Sequence, residues 1–138
     1  MQKPAEKKDL QAQGKVVLIA EDDDTNYLYL EAALAKGKLN LLRAFNGIQA
    51  VEMCKTNKEI QLVLMDIKMP LMNGYDATIL IKQNRPDLPI IVQTAYAMTE
   101  EKNMAFAAGC DDYIAKPIKK TDLVEMVMKY IGLTPNKR

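Results

Sequence analysis

The chain has 138 residues, enough for one domain with its own hydrophobic core. An apolar fraction of 49% and a charged fraction of 27% are typical of a globular protein, and a net charge of +1 provides no basic surface for nucleic acid or an anionic membrane. The absence of histidine and serine excludes Ser-His-Asp triads, Cys-His dyads and histidine-ligated metal sites, and two cysteines are too few for a disulfide framework.

Strands and helices alternate along the chain after a polar start. Residues 1–14 have no hydrophobic period and predict a flexible tail or linker, residues 15–131 predict one domain, and residues 132–138 predict a C-terminal tail. Apolar runs predict five strands, at residues 15–20, 39–44, 62–65, 88–93 and 112–115. Apolar spacing with start and stop signals predicts five helices: one ending at Gly37, one opening at Asn46-Gly47, one capped by Asn73 and running through Ile81, one from Thr99 to Gly109, and one from about Lys120 to Ile131.

Some residues are predicted to have structural roles only. The apolar spacing places Ile48 and Tyr130 on the inner faces of their helices. The remaining structural predictions are helix capping and interaction with the helix dipole by Asp23 and Asp24, a solvated turn at Asp111 and Asp112, and packing without redox chemistry for Cys54 and Cys110.

Five alternations of strand and helix predict an α/β fold, a doubly wound parallel sheet with right-handed crossovers. In such sheets the functional crevice lies at the carboxyl ends of the strands. The third strand, in the stretch LVLMDIKMP, ends in Asp66 just before a turn fixed by Pro70. Because a carboxylate is costly to desolvate without a partner, this position predicts a site that faces Asp66.

Other strands end in polar residues that suit one site with Asp66. The first strand is followed by Glu21 and Asp22, the fourth by Thr94 and the fifth by Lys116. Carboxylates 4 Å apart repel each other by about 4 kcal/mol per pair at an effective dielectric near 20, so a divalent cation is expected among them. Oxygen ligands with room for water favour Mg²⁺, with Mn²⁺ as the alternative. A metal, a lysine and a hydroxyl around one carboxylate predict a site for a phosphoryl group.

Four stretches in order, IAEDD, LVLMDIKMPLMNGYDA, PIIVQTAYA and GCDDYIAKPI, resemble the receiver domain of two-component response regulators. The resemblance covers residues 15 to about 131, and it is greatest to receivers fused to hybrid sensor histidine kinases. It implies a flavodoxin-like (βα)5 fold with strand order 2-1-3-4-5. It also implies that the domain is a phosphoacceptor switch, which catalyses only its own phosphoryl transfer and slow dephosphorylation.

The resemblance assigns the phosphoacceptor and its metal ligands. Asp66 is implied to accept the phosphoryl group as an aspartyl phosphate. Asp22 is implied to contact Mg²⁺ directly, Glu21 mainly through water, and the backbone carbonyl of Lys68 to supply a further ligand. Glu21 stands where the family more often has an aspartate, a substitution that keeps the carboxylate available for the metal.

The resemblance also assigns a switch. Thr94 is implied to hydrogen-bond the phosphoryl oxygen, Lys116 to pair with it through a cis Lys116–Pro117 bond, and Tyr113 to be the aromatic rotamer switch. Lys68 and Tyr96 border the approach of a hydrolytic water, which predicts slow self-dephosphorylation. From the residues alone, Asp66, Thr94, Lys116, Tyr113 and Tyr96 also have purely structural interpretations: a turn cap, a strand residue, a surface lysine, a half-buried tyrosine and a solvent-facing tyrosine.

The phosphoryl donor is implied to be a phosphohistidine in another domain or protein, in cis or in trans, because this chain contains no histidine. The output is expected to pass to a phosphotransfer protein, an effector or a parent kinase, without contact with nucleic acid or a membrane. No apolar run reaches the roughly 18 residues of a membrane span and the polar start is no signal peptide, so a cytoplasmic location is expected, although a parent kinase could be membrane-anchored. An excised hybrid-kinase receiver and a free-standing regulator both remain open.

Two other classes of function are alternatives. A small doubly wound phosphohydrolase or phosphotransferase usually needs a second aspartate two residues after the first, and this chain has Lys68 there. A phosphorylation-independent interaction domain would lack part of the acidic pocket, whereas all of its residues are present. A mononucleotide or flavin binder is disfavoured because the chain has neither a GxGxxG nor a P-loop motif.

Overall fold

The computed structural model describes residues 14–95 and 99–132, with only the backbone described at Thr99. The strands are β1 (Val16–Ala20), β2 (Asn40–Ala44), β3 (Ile60–Asp66), β4 (Ile90–Thr94) and β5 (Asp112–Ala115). The helices are α1 (Asp24–Ala33), α2 (Gly47–Thr56), α3 (Gly74–Asn84), α4 (Thr99–Ala108) and α5 (Lys120–Tyr130), with a 3-10 turn at Ala35–Gly37. Within the described part of the chain, no helix is long and apolar enough to cross a membrane.

The five strands form one parallel sheet in the order β2-β1-β3-β4-β5. The predicted α/β fold and its strand order are therefore confirmed. β2 lies at an edge and is only partly buried, as its less apolar sequence predicts. β1 and β3 lie side by side in the interior, so the residues that follow them emerge together at the carboxyl edge.

Apolar clusters fill the space on both faces of the sheet. On one face, alternate strand residues pack against α2, α3 and α4 through side chains such as Ala50, Ile81 and Ala105. On the other face, the remaining strand residues pack against α1 and α5 through Leu30 and Leu123. The unbroken apolar runs of β1 and β3 are thus explained, because both faces of these strands are covered.

The boundaries of four elements differ from the sequence prediction by two residues or more. α1 ends at Ala33 rather than at Gly37, because a 3-10 turn at Ala35–Gly37 follows it. β3 begins two residues before the predicted strand and includes Asp66, whereas β4 begins two residues after its predicted start. α3 runs three residues beyond its predicted end. At its C-cap, Arg85 donates to the backbone carbonyls of Cys54, Asn57, Lys58 and Ile60. These bonds tie the end of α3 to the amino edge of the sheet, which accounts for the longer helix.

The prediction that Ile48 faces the core was wrong, since its side chain is 49% exposed. The buried face of α2 consists of Gly47, Ala50 and Cys54. Ile48 is rotated by about 100° from Gly47 around the helix axis and therefore points away from that face. The packing predicted for Cys54 and Cys110 is confirmed, because both thiols are buried and free.

The turn before β5 is more structured than its predicted solvated loop. Asp111 is exposed, but its carboxylate accepts hydrogen bonds from the Ile90 N–H (2.8 Å) and the Lys82 ammonium (2.7 Å). Asp112 belongs to β5, and its carboxylate accepts a 3.0 Å bond from the Tyr130 hydroxyl. Tyr130 is accordingly half-buried, and its polar end ties α5 to the start of β5.

Candidate functional site

Three carboxylates meet at the carboxyl edge of the sheet, as the strand-end rule predicts. Asp66 is the last residue of β3, and Glu21 and Asp22 follow the neighbouring β1. One carboxylate oxygen of each lies within 4.8 Å of the others. Glu21 is 1% exposed and Asp66 is 7% exposed, whereas Asp22 is open to solvent. Such a set of hard oxygen donors, with one open side, fits a single hard divalent cation.

Glu21 is held from several directions. Its N–H donates to the carbonyl of Ala44 at 2.9 Å, and its carboxylate accepts from the Asp23 N–H at 3.2 Å and the Asn26 amide at 3.3 Å. Burial, with the negative charge of Asp66 as the second cause, raises the pKa of Glu21 to about 7. The buried carboxylates of Glu21 and Asp66 concentrate negative charge away from water, and a bound cation would stabilise their charged forms.

Lys116 brings a positive charge to the acceptor. Its ammonium nitrogen lies 3.2 Å from Asp66 Oδ1, and its backbone N–H donates to the Thr94 carbonyl at 2.8 Å. Burial raises the pKa of Asp66, and the charge and hydrogen bond of Lys116 act in the opposite direction. The Lys116–Pro117 peptide bond is cis, as the family resemblance implies. Lys116 thus reaches Asp66 from β5, across the end of β4.

The predicted switch residues lie on the two strands beside Asp66. Thr94 ends β4, is buried, and donates its hydroxyl proton to the carboxylate of Glu101 in the first turn of α4. Tyr113 on β5 is half-buried and contacts the Phe106 ring edge to face, with centroids 6.1 Å apart. In this conformation Thr94 therefore engages α4, and the switch roles of Thr94 and Tyr113 stay predictions.

Of the two residues predicted to control dephosphorylation, only Lys68 lies in the part of the chain that the structure describes. Lys68 lies in the loop after β3 with its side chain exposed, and the role of its carbonyl as a metal ligand stays a prediction. Tyr96 lies outside the described residues.

At the start of α1, Asp23 occupies the N-cap position, but its side chain makes no capping bond, contrary to prediction. Asp24 begins the helix and pairs with Arg43 at 2.9 Å.

Gly74 is a site residue that the sequence reasoning missed. A Cβ atom at Gly74 would lie 2.1 Å from the carbonyl oxygen of Asp66, and the Gly74 N–H donates to the Ile67 carbonyl at 2.8 Å. Asn73 caps α3 as predicted, by accepting from the Asp76 N–H at 2.9 Å. The Asn-Gly pair signals a helix start in the sequence, but only the folded chain shows that the glycine lets α3 begin directly against the acceptor residue.

The sequence profile described as "Response regulator receiver domain" matches residues 17–128, most of the chain. The chain belongs to this family. This receiver domain is 38% identical over 134 residues to hybrid signal transduction histidine kinase G of Dictyostelium discoideum, with 94% of the chain and 4% of the relative covered. It is 35% identical over 122 residues to the sensor histidine kinase GacS of Pseudomonas protegens, with 85% and 13% covered. The chain thus spans a small part of the length of these curated relatives.

Solved receiver domains have the same architecture. That of a Pseudomonas aeruginosa sensor histidine kinase, with a magnesium ion coordinated in its active site cleft, aligns with a TM-score of 0.80 at 33% identity, over 86% of this chain and 98% of the other. A Saccharomyces cerevisiae response regulator receiver domain, solved with a histidine phosphotransfer signaling protein, aligns with a TM-score of 0.80 at 25% identity, over 91% and 95%. The predicted membership of the receiver family is confirmed.

Proposed function

We propose that this receiver domain is a phosphoacceptor switch that takes a phosphoryl group onto Asp66. The observation that carries the proposal is the cluster of Glu21, Asp22 and Asp66, whose carboxylates lie within 4.8 Å of one another, together with the Lys116 ammonium 3.2 Å from Asp66. A nucleophilic oxygen, metal-binding oxygens and a cation in one crevice are the groups that phosphoryl transfer needs. The functional domain comprises residues 15–131, with residues 1–14 and 132–138 as tails.

In the transfer step, a carboxylate oxygen of Asp66 forms a bond to phosphorus as the bond between phosphorus and the donor imidazole nitrogen breaks. The bonding electron pair leaves with the imidazole nitrogen. The Lys116 ammonium then pairs with a negatively charged phosphoryl oxygen on Asp66. Glu21, Asp22, Asp66 and the carbonyl of Lys68 would hold Mg²⁺, with Mn²⁺ as a substitute. When bound, the metal supplies positive charge that offsets repulsion between the carboxylates and the incoming phosphoryl group.

The switch follows from the position of Thr94 beside the acceptor strand. After phosphorylation, the Thr94 hydroxyl moves to a phosphoryl oxygen and Tyr113 turns inward, which biases an existing equilibrium between two conformations. The output surface consists of α4, β5 and α5. Hydrogen exchange in amides around residues 94–116 is expected to change on phosphorylation, and a change confined to α2 would contradict this part of the proposal.

The donor is a phosphohistidine on a kinase or phosphotransfer domain, in cis or in trans. Supporting this partner are the hybrid kinases among the relatives and the yeast receiver solved with a phosphotransfer protein. We place the domain in the cytoplasm, where kinase phosphohistidines are made. Its catalysis is limited to its own phosphorylation and slow dephosphorylation.

Intact mass measured with acetyl phosphate and Mg²⁺ tests the function. The wild type is expected to gain one phosphoryl group, and Asp66→Asn to gain none, because an amide is a poor nucleophile. Asp122→Asn, a change of the same kind at an exposed position of α5, is the control that should label normally. EDTA should prevent labelling. Equal labelling of the Asp66 variant and the wild type would show that the acceptor lies elsewhere.

A further inference from the structure

Arg43 is a partly enclosed cation on the edge strand β2. Its guanidinium carbon lies 4.5 Å from the centroid of the Tyr27 ring and 4.1 Å from that of Phe45. Its side chain is only 15% exposed, although β2 as a whole is half-open to solvent. A mostly buried guanidinium that lies over two aromatic rings is restricted in orientation by cation–π contacts with both.

The polar contacts of Arg43 are made with the turn that carries the metal-binding carboxylates. Its Nε donates to the backbone carbonyl of Glu21 at 3.0 Å. Its Nη2 lies 2.9 Å from Asp24 Oδ1 but without hydrogen-bond alignment, and the Asp24 side chain is 81% exposed. The contact with Asp24 is therefore a weak surface ion pair, and the bond to the Glu21 carbonyl is the principal polar contact.

The last two residues of β2 together hold the backbone of Glu21 on both sides. Arg43 binds its carbonyl, and the carbonyl of Ala44 accepts its N–H at 2.9 Å. The pairing of β1 with its neighbours ends at Ala20, so the peptide group between Glu21 and Asp22 lies beyond the paired residues of the sheet. The peptide bond between Glu21 and Asp22 contains the carbonyl that Arg43 binds, and its orientation sets the direction of both side chains.

We propose that Arg43 is a positioning residue for the metal site: it fixes the Glu21–Asp22 peptide so that both carboxylates face Asp66. The inference rests on the proposed Mg²⁺ site. A guanidinium suits this role because its rigid planar fork lies over the rings while it donates a hydrogen bond in a fixed direction, whereas the ammonium of lysine is a point charge on a flexible stem. The sequence offers little sign of it, since a single arginine near the end of an edge strand reads as a surface charge.

The positioning effect and the charge effect of Arg43 have opposite signs. A positive charge next to the turn that carries Glu21 and Asp22 weakens the attraction of this turn for Mg²⁺, so removal of the charge alone would tighten Mg²⁺ binding. Loss of the directed bond to Glu21 would loosen it. Arg43→Gln removes charge and bond, and Arg43→Lys keeps the charge but loses the fork and the stacking.

Mg²⁺ titration by calorimetry, without any phosphodonor, tests the inference. Arg43→Gln and Arg43→Lys are both expected to raise the Kd for Mg²⁺ by about tenfold, at the low end of the range for groups that orient metal ligands. The matched control is Arg85→Gln, because Arg85 also binds backbone carbonyls but lies at the opposite edge of the sheet. This control is expected to lower the unfolding temperature and to leave the Kd unchanged within about twofold.

Tighter binding by Arg43→Gln with unchanged binding by Arg43→Lys would mean that Arg43 acts only through its charge, and would overturn the positioning role. Wild-type affinity in both Arg43 variants would overturn it as well while leaving the metal site intact. Absence of Mg²⁺ binding by the wild type would instead overturn the proposed metal site itself. If Arg43→Gln does not fold, the Arg43→Lys variant alone decides between positioning and charge.

Discussion

Gln93 is a buried amide without a hydrogen-bond partner, and its replacement by methionine is expected to stabilise the domain. Gln93 lies in β4, in register with Asp66 on β3 and Ile114 on β5, and is 1% exposed. Within residues 14–95 and 99–132, neither its Oε1 nor its Nε2 has a hydrogen-bond partner. The side chain therefore loses its hydrogen bonds to water on folding and receives none in return.

The size of the effect follows from the cost of one such group. A buried polar group left without a partner lowers the free energy of unfolding by about 1–3 kcal/mol. Methionine has nearly the length of glutamine and adapts to irregular space. The cost of repacking is therefore expected to be smaller than the free energy of unfolding gained by removal of the unpaired amide. We expect Gln93→Met to raise the free energy of unfolding by about 2 kcal/mol, or the Tm by roughly 8 °C for a domain of this size.

Urea unfolding followed by circular dichroism measures this difference, provided that the m-values agree. The matched control is Gln61→Met, the same substitution at an exposed position of β3, and it should change the stability by less than about 0.5 kcal/mol. A Gln93→Met variant no more stable than the wild type, with an unchanged m-value, would show that the buried amide is satisfied in solution and that the reasoning is wrong.

The other predictions concern the backbone beside Asp66 and the lifetime of its phosphoryl group. Gly74→Ala is expected to lower the stability by about 2–3 kcal/mol in urea unfolding and to slow labelling of Asp66 by acetyl phosphate, since the new Cβ would overlap the Asp66 carbonyl. Gly37→Ala, whose Cβ meets only an ordinary contact, is its control. Tyr96→Ala, or Lys68→Asn combined with Tyr96→Glu, is expected to shorten the phosphoryl lifetime several-fold by opening the path of the attacking water. Equal decay of wild type and both variants would exclude such shielding.

The sequence was sufficient to predict the fold and most of the acidic site because both depend on local patterns. Apolar runs of four to six residues mark the strands, and in a parallel sheet the residue after each run falls at one common edge. That rule places Glu21, Asp22 and Asp66 at one edge of the sheet, and the strand order implied by the family resemblance places them side by side. Lys116 follows the same rule from β5, two strands away from the acceptor.

The features that sequence reasoning missed depend on contacts between residues that no local pattern connects. Arg43 binds the carbonyl of a residue 22 positions earlier, and its single charge has no periodicity that could reveal this. The need for glycine at position 74 comes from the close approach of the start of α3 to the backbone of Asp66. For Gln93, the sequence predicts burial in a strand, but only the packed neighbours decide whether its amide finds a partner.

The proposed coupling between Asp66 and α4 depends on the hydrogen bond that Thr94 makes in this conformation. A hydroxyl has one proton to donate, and that of Thr94 is given to the carboxylate of Glu101 in the first turn of α4. In the proposed switch, a phosphoryl oxygen on Asp66 must draw this proton away from an anionic acceptor, whose bond is stronger than one to a neutral group. Release of Glu101 frees the first turn of α4, next to the strand that carries Tyr113. Competition between two anions for one hydroxyl proton is therefore sufficient to connect the acceptor to the proposed output surface.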